Sequence, residues 1–186
     1  MSGEQLQGFF ESTAGQVATL IVIVLLFIGV LASGRGKKAD TRAVVTAAVL
    51  VALAIVLNQI VLFRMPQGGS VTAFSMLPVV VCAYFFGVRR GMMAGMCVGF
   101  IGLIFNPYVI HPIQMLLDYP FTYGALGFAG LVRTRKFGLI TGYIIGLLGR
   151  YFCAVFSGMI FFGEYAPEGF NAFTWSVYYN MTYLGV

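Results

Sequence analysis

The chain has 186 residues, of which 60% are hydrophobic and 9% charged, with a formal net charge of +5 and a mean hydropathy of +0.92. A soluble domain usually carries about 25% charged residues, so this composition excludes a water-covered globule and makes lipid the main solvent. The positive charge does not indicate nucleic acid, because the basic residues form no contiguous patch and fall in short gaps between apolar runs, where they act as topology signals.

Apolar runs occur at approximately 16–33, 43–63, 71–87, 91–106, 113–132, 137–162 and 173–186. A spanning helix needs about 20 residues, so the runs predict about seven membrane-crossing helices. The third and fourth are short enough to be tilted or partly re-entrant, and the last ends at Val186 before a full crossing. The first run is not patterned as a secretory signal, which would carry basic residues before its apolar core. Glu4 and Glu11 precede it, and Arg35, Lys37, Lys38 and Arg42 follow it.

That order predicts a retained helix with its N-terminus outside. The cytoplasmic gaps then hold Arg35 to Arg42, Arg89 with Arg90, and Arg133, Arg135 and Lys136, while the outer loops hold Arg64. Every gap obeys the positive-inside rule. Gly91, Gly95 and Gly99, and again Gly138, Gly142 and Gly146, form small-x-x-x-small ladders that let helix backbones approach closely in lipid. Ala48 and Ala52 form a similar stripe, read either as internal packing or as a docking face for another membrane subunit.

Asp118, in the segment LLDYP, is the residue most suggestive of chemistry. A carboxylate inside a membrane helix is costly unless it faces a cavity or a partner. On the expected topology it lies in the outer half of the bilayer. Phe162, Glu164, Tyr165, Glu168, Trp175 and Asn180 fall near the same level, and Asn180 stands five residues, about a turn and a half, beyond Trp175. A carboxylate, an amide and several rings suit a small, flat, cationic ligand, because rings offer stacking and cation–π attraction. The interfacial aromatic belt is the plainer explanation for Trp175 and Tyr165.

His111 is the only histidine, and it is read as a site-edge residue or as a cap for the helix entered at Pro112. Cys82, Cys97 and Cys153 lie within apolar runs and read as small packing residues, with no disulfide or metal framework. The sequence Asn180-Met-Thr182 fits the glycosylation pattern but falls within an apolar run. No nucleophile–base pair, metal cluster, cofactor motif or phosphate-binding G-x-x-x-x-G-K-[S/T] loop is present, so the chain is not read as an enzyme.

Three long segments carry a resemblance. FRMPQGGSVTAFSMLP (63–78), PYVIHPIQMLLDYPFTYGALGFAGL (107–131) and GRYFCAVFSGMIFFGEYAPEGFNAFTWSVYYN (149–180) resemble the thiamine-specific S component of energy-coupling factor transporters. The resemblance covers roughly residues 43–186. It implies an all-α, six-helix membrane bundle that captures thiamine from outside with high affinity. Residues 1–42 would add an N-terminal transmembrane helix and a basic cytoplasmic linker, and the final helix would be cut short.

By the same resemblance, Asp118 and Tyr119 contact the ligand, Phe162 stacks on it, and Trp175 and Asn180 complete the site. Tyr165 and His111 are taken as its edge. The loop Pro66, Gln67, Gly68 and Gly69 would act as a lid. Ala48 and Ala52 would dock a transmembrane coupling subunit, which works with two cytoplasmic ATPases in a bacterial plasma membrane. Three positions depart from the pattern: Ala154 replaces a histidine, Gly69 stands near a stacking tryptophan, and Trp175 replaces a tyrosine. A thiamine precursor, a related pyrimidine, or a structural or channel-forming bundle are the alternatives.

Overall fold

A computed structural model describes residues 41–65, 69–105 and 108–184, together with isolated helical positions between Thr13 and Ile28. The expected N-terminal span and the basic linker therefore lie largely outside the described residues, as do Pro66, Gln67 and Gly68 of the lid loop. Among the described residues the chain is a helical membrane bundle with one small β-hairpin.

Helix α1 runs Thr41–Gln59. It is apolar along its whole length, yet Ala43 and Ala54 are its only buried residues, which is the pattern of a helix solvated by lipid on most of its surface. Ala48 and Ala52 are exposed, so no described residue buries them. The chain then forms a hairpin, β1 (Val61–Arg64) against β2 (Ser70–Thr72), antiparallel with a bulge between Val61 and Phe63. Met65 N–H donates to the Gly69 carbonyl at 2.7 Å, closing the far end of the ladder.

The hairpin departs from a purely helical expectation, and it shortens the run expected at 71–87. Helix α2 is Leu77–Phe86, only 10 residues, or about 15 Å of rise. It opens with Pro78 in its first turn, where a missing N–H costs nothing. It stops at Gly87, whose φ of 87° is a conformation that favours glycine.

Helix α3 (Val88–Phe105) follows directly. Its ladder Gly91, Gly95 and Gly99 is buried against neighbouring backbone: a Cβ on Gly95 would overlap the Tyr123 carbonyl, and one on Gly99 the Tyr119 carbonyl. Helix α4, residues 112–132, is not uniform. It is α-helical over Pro112–Leu116, widens to a π turn over Leu117–Phe121, returns to α over Thr122–Ala125 and tightens to 3-10 over Leu126–Val132. Helix α5 (Gly138–Phe161) lays Gly142 and Gly146 on the 3-10 part of α4, against Ala129 and Leu126.

After the short turn Gly163–Tyr165, helix α6 covers Ala172–Leu184. It is capped by a reciprocal pair: Thr174 N–H donates to Asn171 Oδ1 at 2.8 Å and Asn171 N–H to Thr174 Oγ1 at 3.1 Å, which satisfies donors a helix start leaves open. Among the described residues, three helices are long and apolar enough to cross a membrane: α1, α3 and α5, with 19, 18 and 24 residues. The six helices α1 to α6 fall in the apolar runs from 43 onward; α2 is short and α4 is broken, and the first of the seven expected runs lies largely outside the described residues. The basic turns after α2 and α4 come together, with Gly87 beside the Arg133 guanidinium.

Candidate functional site

At the hairpin end of the bundle, α1, α3, α4, α5 and α6 surround a cavity of about 580 Å³. Sites for small molecules typically measure about 300–1,000 Å³. Asp118 and Tyr119 reach it from α4, Ala154 and Gly158 from α5, Trp175 and Asn180 from α6, and Phe162 from the turn after α5. Gly69 and Arg64 border it from the hairpin.

Local sequence explains how Asp118 is presented. Pro120 has no N–H to continue the α ladder, and the helix responds by widening to a π turn across Leu117–Phe121. Thr122 Oγ1 fills the loosened turn by donating to the Leu117 carbonyl at 2.6 Å. Such π turns recur at functional sites because they turn side chains out of helical register. Gln114, one helical turn earlier and 1% exposed, donates from Nε2 to Asp118 Oδ2 at 2.6 Å. The same amide bonds the Tyr108 carbonyl at 3.1 Å, and its Oε1 accepts from Ile110 N–H at 3.2 Å. The carboxylate is thus fixed to the segment entering α4. Ser157 Oγ lies beside it, buried and without a well-formed hydrogen bond.

Two walls are aromatic. Phe162 stacks with Tyr108 at a centroid distance of 6.1 Å and an interplanar angle of 17°. Trp175 contacts Tyr179 at 5.9 Å and Phe170 at 5.8 Å. The phenol oxygen of Tyr119 accepts from Tyr108 N–H at 2.8 Å. The Asn180 amide donates to the Ala154 carbonyl at 3.3 Å and to the Ser176 carbonyl at 2.9 Å, so what it can offer a ligand is its own carbonyl oxygen. Gly158 makes this crossing possible, because a Cβ there would overlap Ser176 Oγ.

Two of the expected site residues do not line the cavity. His111 caps α4, its Nδ1 accepting from Ile113 N–H at 3.2 Å, and its ring stacks on Phe161 at 5.2 Å. Tyr165 is exposed and tilts against Phe162 at 6.2 Å. Glu164 and Glu168 are exposed in the same loop.

Asn58, Gln114, Tyr123 and Arg150 are polar or aromatic cavity residues among those not singled out from sequence as site residues. Arg150 is 8% exposed, with its guanidinium carbon 4.3 Å from the centre of the Tyr123 ring. The Tyr123 hydroxyl in turn donates to Asn58 Oδ1 at 3.0 Å. The rule that drew attention to Asp118, an ionisable group within an apolar run, applies equally to Arg150. Gln114 is signalled by its spacing of four from Asp118. Among the described residues, no group of three or more His, Cys, Asp or Glu could hold a metal ion.

Comparison with known proteins gives a consistent result. The family model described as thiamine transporter protein (Thia_YuaJ) matches residues 44–186. A thiamine transporter ThiT from Bacillus subtilis (strain 168) is 33% identical over 153 residues, covering 74% of this chain and 79% of the relative. A second ThiT, from Lacticaseibacillus paracasei, is 30% identical over 124 residues, covering 58% of this chain and 62% of the relative. The solved structure of ThiT from Listeria monocytogenes superposes with a TM-score of 0.67 at 25% identity, over 78% of this chain and 87% of that one.

Proposed function

This chain belongs to the thiamine transporter protein (Thia_YuaJ) family, and from that premise we propose how it binds its ligand and with what it works. It is a multi-pass membrane protein for thiamine binding and uptake, an S component with no enzymatic role of its own. Thiamine joins an aminopyrimidine to a cationic thiazolium ring. Asp118 supplies a carboxylate for a positive charge or an amino donor, and Phe162 and Trp175 supply flat faces for stacking, worth about 0.5–2 kcal/mol each where a cation is involved. Tyr119 and Asn180 complete the contacts.

The observation that carries this assignment is the π turn of α4, which presents Asp118 to a cavity walled by Phe162 and Trp175. Tyr165 and His111 act from the rim by bracing Phe162 and Phe161, which they touch. The loop Pro66 to Gly69 closes over the bound ligand as a lid. The cavity opens to the outside, with the N-terminus on that side and the basic turns in the cytoplasm of a bacterial cell. Ala48 and Ala52, exposed on α1, dock a transmembrane coupling subunit that carries two cytoplasmic ATPases. ATP hydrolysis takes place in those partners.

The test uses Trp175, the single tryptophan. Thiamine should quench its fluorescence saturably in detergent, and Asp118→Asn should abolish the response at the same ligand concentrations. Quenching by the free pyrimidine alone would reassign the ligand to a precursor. A folded protein that responds to neither would favour a structural role.

A further inference from the structure

Arg150 is an unexplained cost in this site. It is 8% exposed, it lines the cavity, and among the described residues its Nε and Nη1 have no hydrogen-bond partner. Buried polar groups are nearly always paired, and buried charged donors left unpaired are costly. The cost is not one of misplacement, because the guanidinium is braced. Its carbon sits 4.3 Å over the Tyr123 ring, and that ring is pinned by its hydroxyl to Asn58 across the bundle. Arg150, Ala154 and Gly158 follow at intervals of four on α5 and face the cavity together. Ala154 projects no more than a methyl group and Gly158 no side chain, so α5 leaves room in the cavity beyond Arg150. The Asp118 carboxylate is within electrostatic reach of the guanidinium, yet no described residue accepts from Nε or Nη1, so the arrangement is a donor with capacity left for an acceptor on a ligand.

We infer that Arg150 is a specificity-determining residue that donates to a ring nitrogen of the ligand's aminopyrimidine while Asp118 accepts from the neighbouring amino group. This rests on the thiamine reading above and deepens it. An aminopyrimidine presents an N–H donor beside a ring acceptor on one edge, and a carboxylate with a guanidinium is the complementary pair. The charges agree with this orientation. A guanidinium repels a thiazolium cation, so the ligand places its neutral aminopyrimidine toward Arg150 and its thiazolium toward the aromatic rings. A site with Asp118 alone would accept any flat cation, whereas the added donor selects for a ring acceptor at one position. Discrimination of this kind is strong because an analogue lacking the acceptor leaves the buried donor unpaired.

The experiment compares thiamine with two analogues, each having one pyrimidine nitrogen replaced by C–H, on the full chain in detergent. Binding is read by Trp175 fluorescence and by calorimetry for the wild type, Arg150→Met and Arg150→Lys. The wild type should bind one of the two analogues about 10- to 100-fold more weakly than thiamine, the loss expected for a charged hydrogen bond. In Arg150→Met that discrimination should collapse, with thiamine weakened to the level of the analogue. Arg150→Lys should retain part of it.

Equal wild-type affinities for thiamine and both analogues would overturn the inference, and this outcome needs no variant to fold. So would discrimination that persists unchanged in Arg150→Met, which would make Arg150 a brace for Tyr123. A folded wild type that binds no thiamine removes the thiamine reading and this inference together. Thiamine binding without discrimination removes only the inference.

Discussion

Between Pro112 and Phe121, α4 loosens into a π turn and carries Gln114, Asp118 and Tyr119; from Thr122 it returns to α and over Leu126–Val132 tightens to a 3-10 helix rich in small residues. The upper part borders a cavity. In the lower part a Cβ on Gly127 would overlap the backbone of Met92, and one on Gly130 the backbone of Val88. The two halves of one helix therefore solve different problems. In lipid, helices gain little from excluding water and associate through close packing, so the lower half trades side chains for backbone contact. A binding site needs the reverse, with backbones held apart and polar groups facing the space between them. Gly99 joins the two regimes, since it seats α3 directly on the Tyr119 carbonyl and Pro120 at the π turn. The rigid half holds the open half in place.

Substitutions in the two halves therefore separate binding from stability. Asp118→Asn removes the charge but keeps the shape and one hydrogen-bonding oxygen. Loss of a buried, hydrogen-bonded charge partner typically costs about 2–5 kcal/mol of binding, so thiamine affinity should fall by about 30-fold or more while the melting temperature in detergent stays close to wild type. Gly127→Val places a branched side chain into the Met92 backbone. Overpacking of this kind costs about 3 kcal/mol. Thermal unfolding should show a clear drop in melting temperature, with near-normal affinity in the protein that remains folded. A Gly127→Val protein of normal stability but lost affinity would break the comparison.

Much of this division is legible in the sequence. The spacing of Gly91, Gly95, Gly99 and of Gly138, Gly142, Gly146 announces close packing, and the structure adds that both ladders face α4. Asp118 stands out because an intramembrane carboxylate needs a reason. The π turn itself is not legible, because LDYPF fits a kinked α-helix equally well and the outcome depends on which carbonyls Thr122 can reach. The hairpin is hidden for a similar reason. A Gly- and Pro-containing gap between apolar runs reads as a loop, and Val61 to Arg64 merges with the preceding helix in hydropathy. Gln114 was within reach, since residues four apart on a helix are neighbours. Gln114→Leu tests its part: it removes one hydrogen bond to a charged group, worth about 1.5–3 kcal/mol. Affinity should fall by about 10-fold or more, with a smaller loss of stability because the Tyr108 and Ile110 bonds are lost as well. Unchanged affinity would mean that Asp118 needs no help from Gln114.

His111 gives the smallest expected effect and the most direct reading of the boundary of the upper half. It lies seven residues before Asp118 and would be a natural guess for a ligand contact, but its Nδ1 is committed to Ile113 N–H and its ring to Phe161. Loss of a helix cap costs about 1 kcal/mol. His111→Ala should therefore lower the melting temperature by a few degrees and leave thiamine affinity within about 3-fold of wild type, a difference of roughly 0.6 kcal/mol by affinity arithmetic. His111→Asn keeps a capping oxygen without the ring and should recover the stability. If affinity instead falls sharply in both variants while stability holds, the ring itself reaches the ligand, and the site extends beyond the cavity onto the segment that leads into α4.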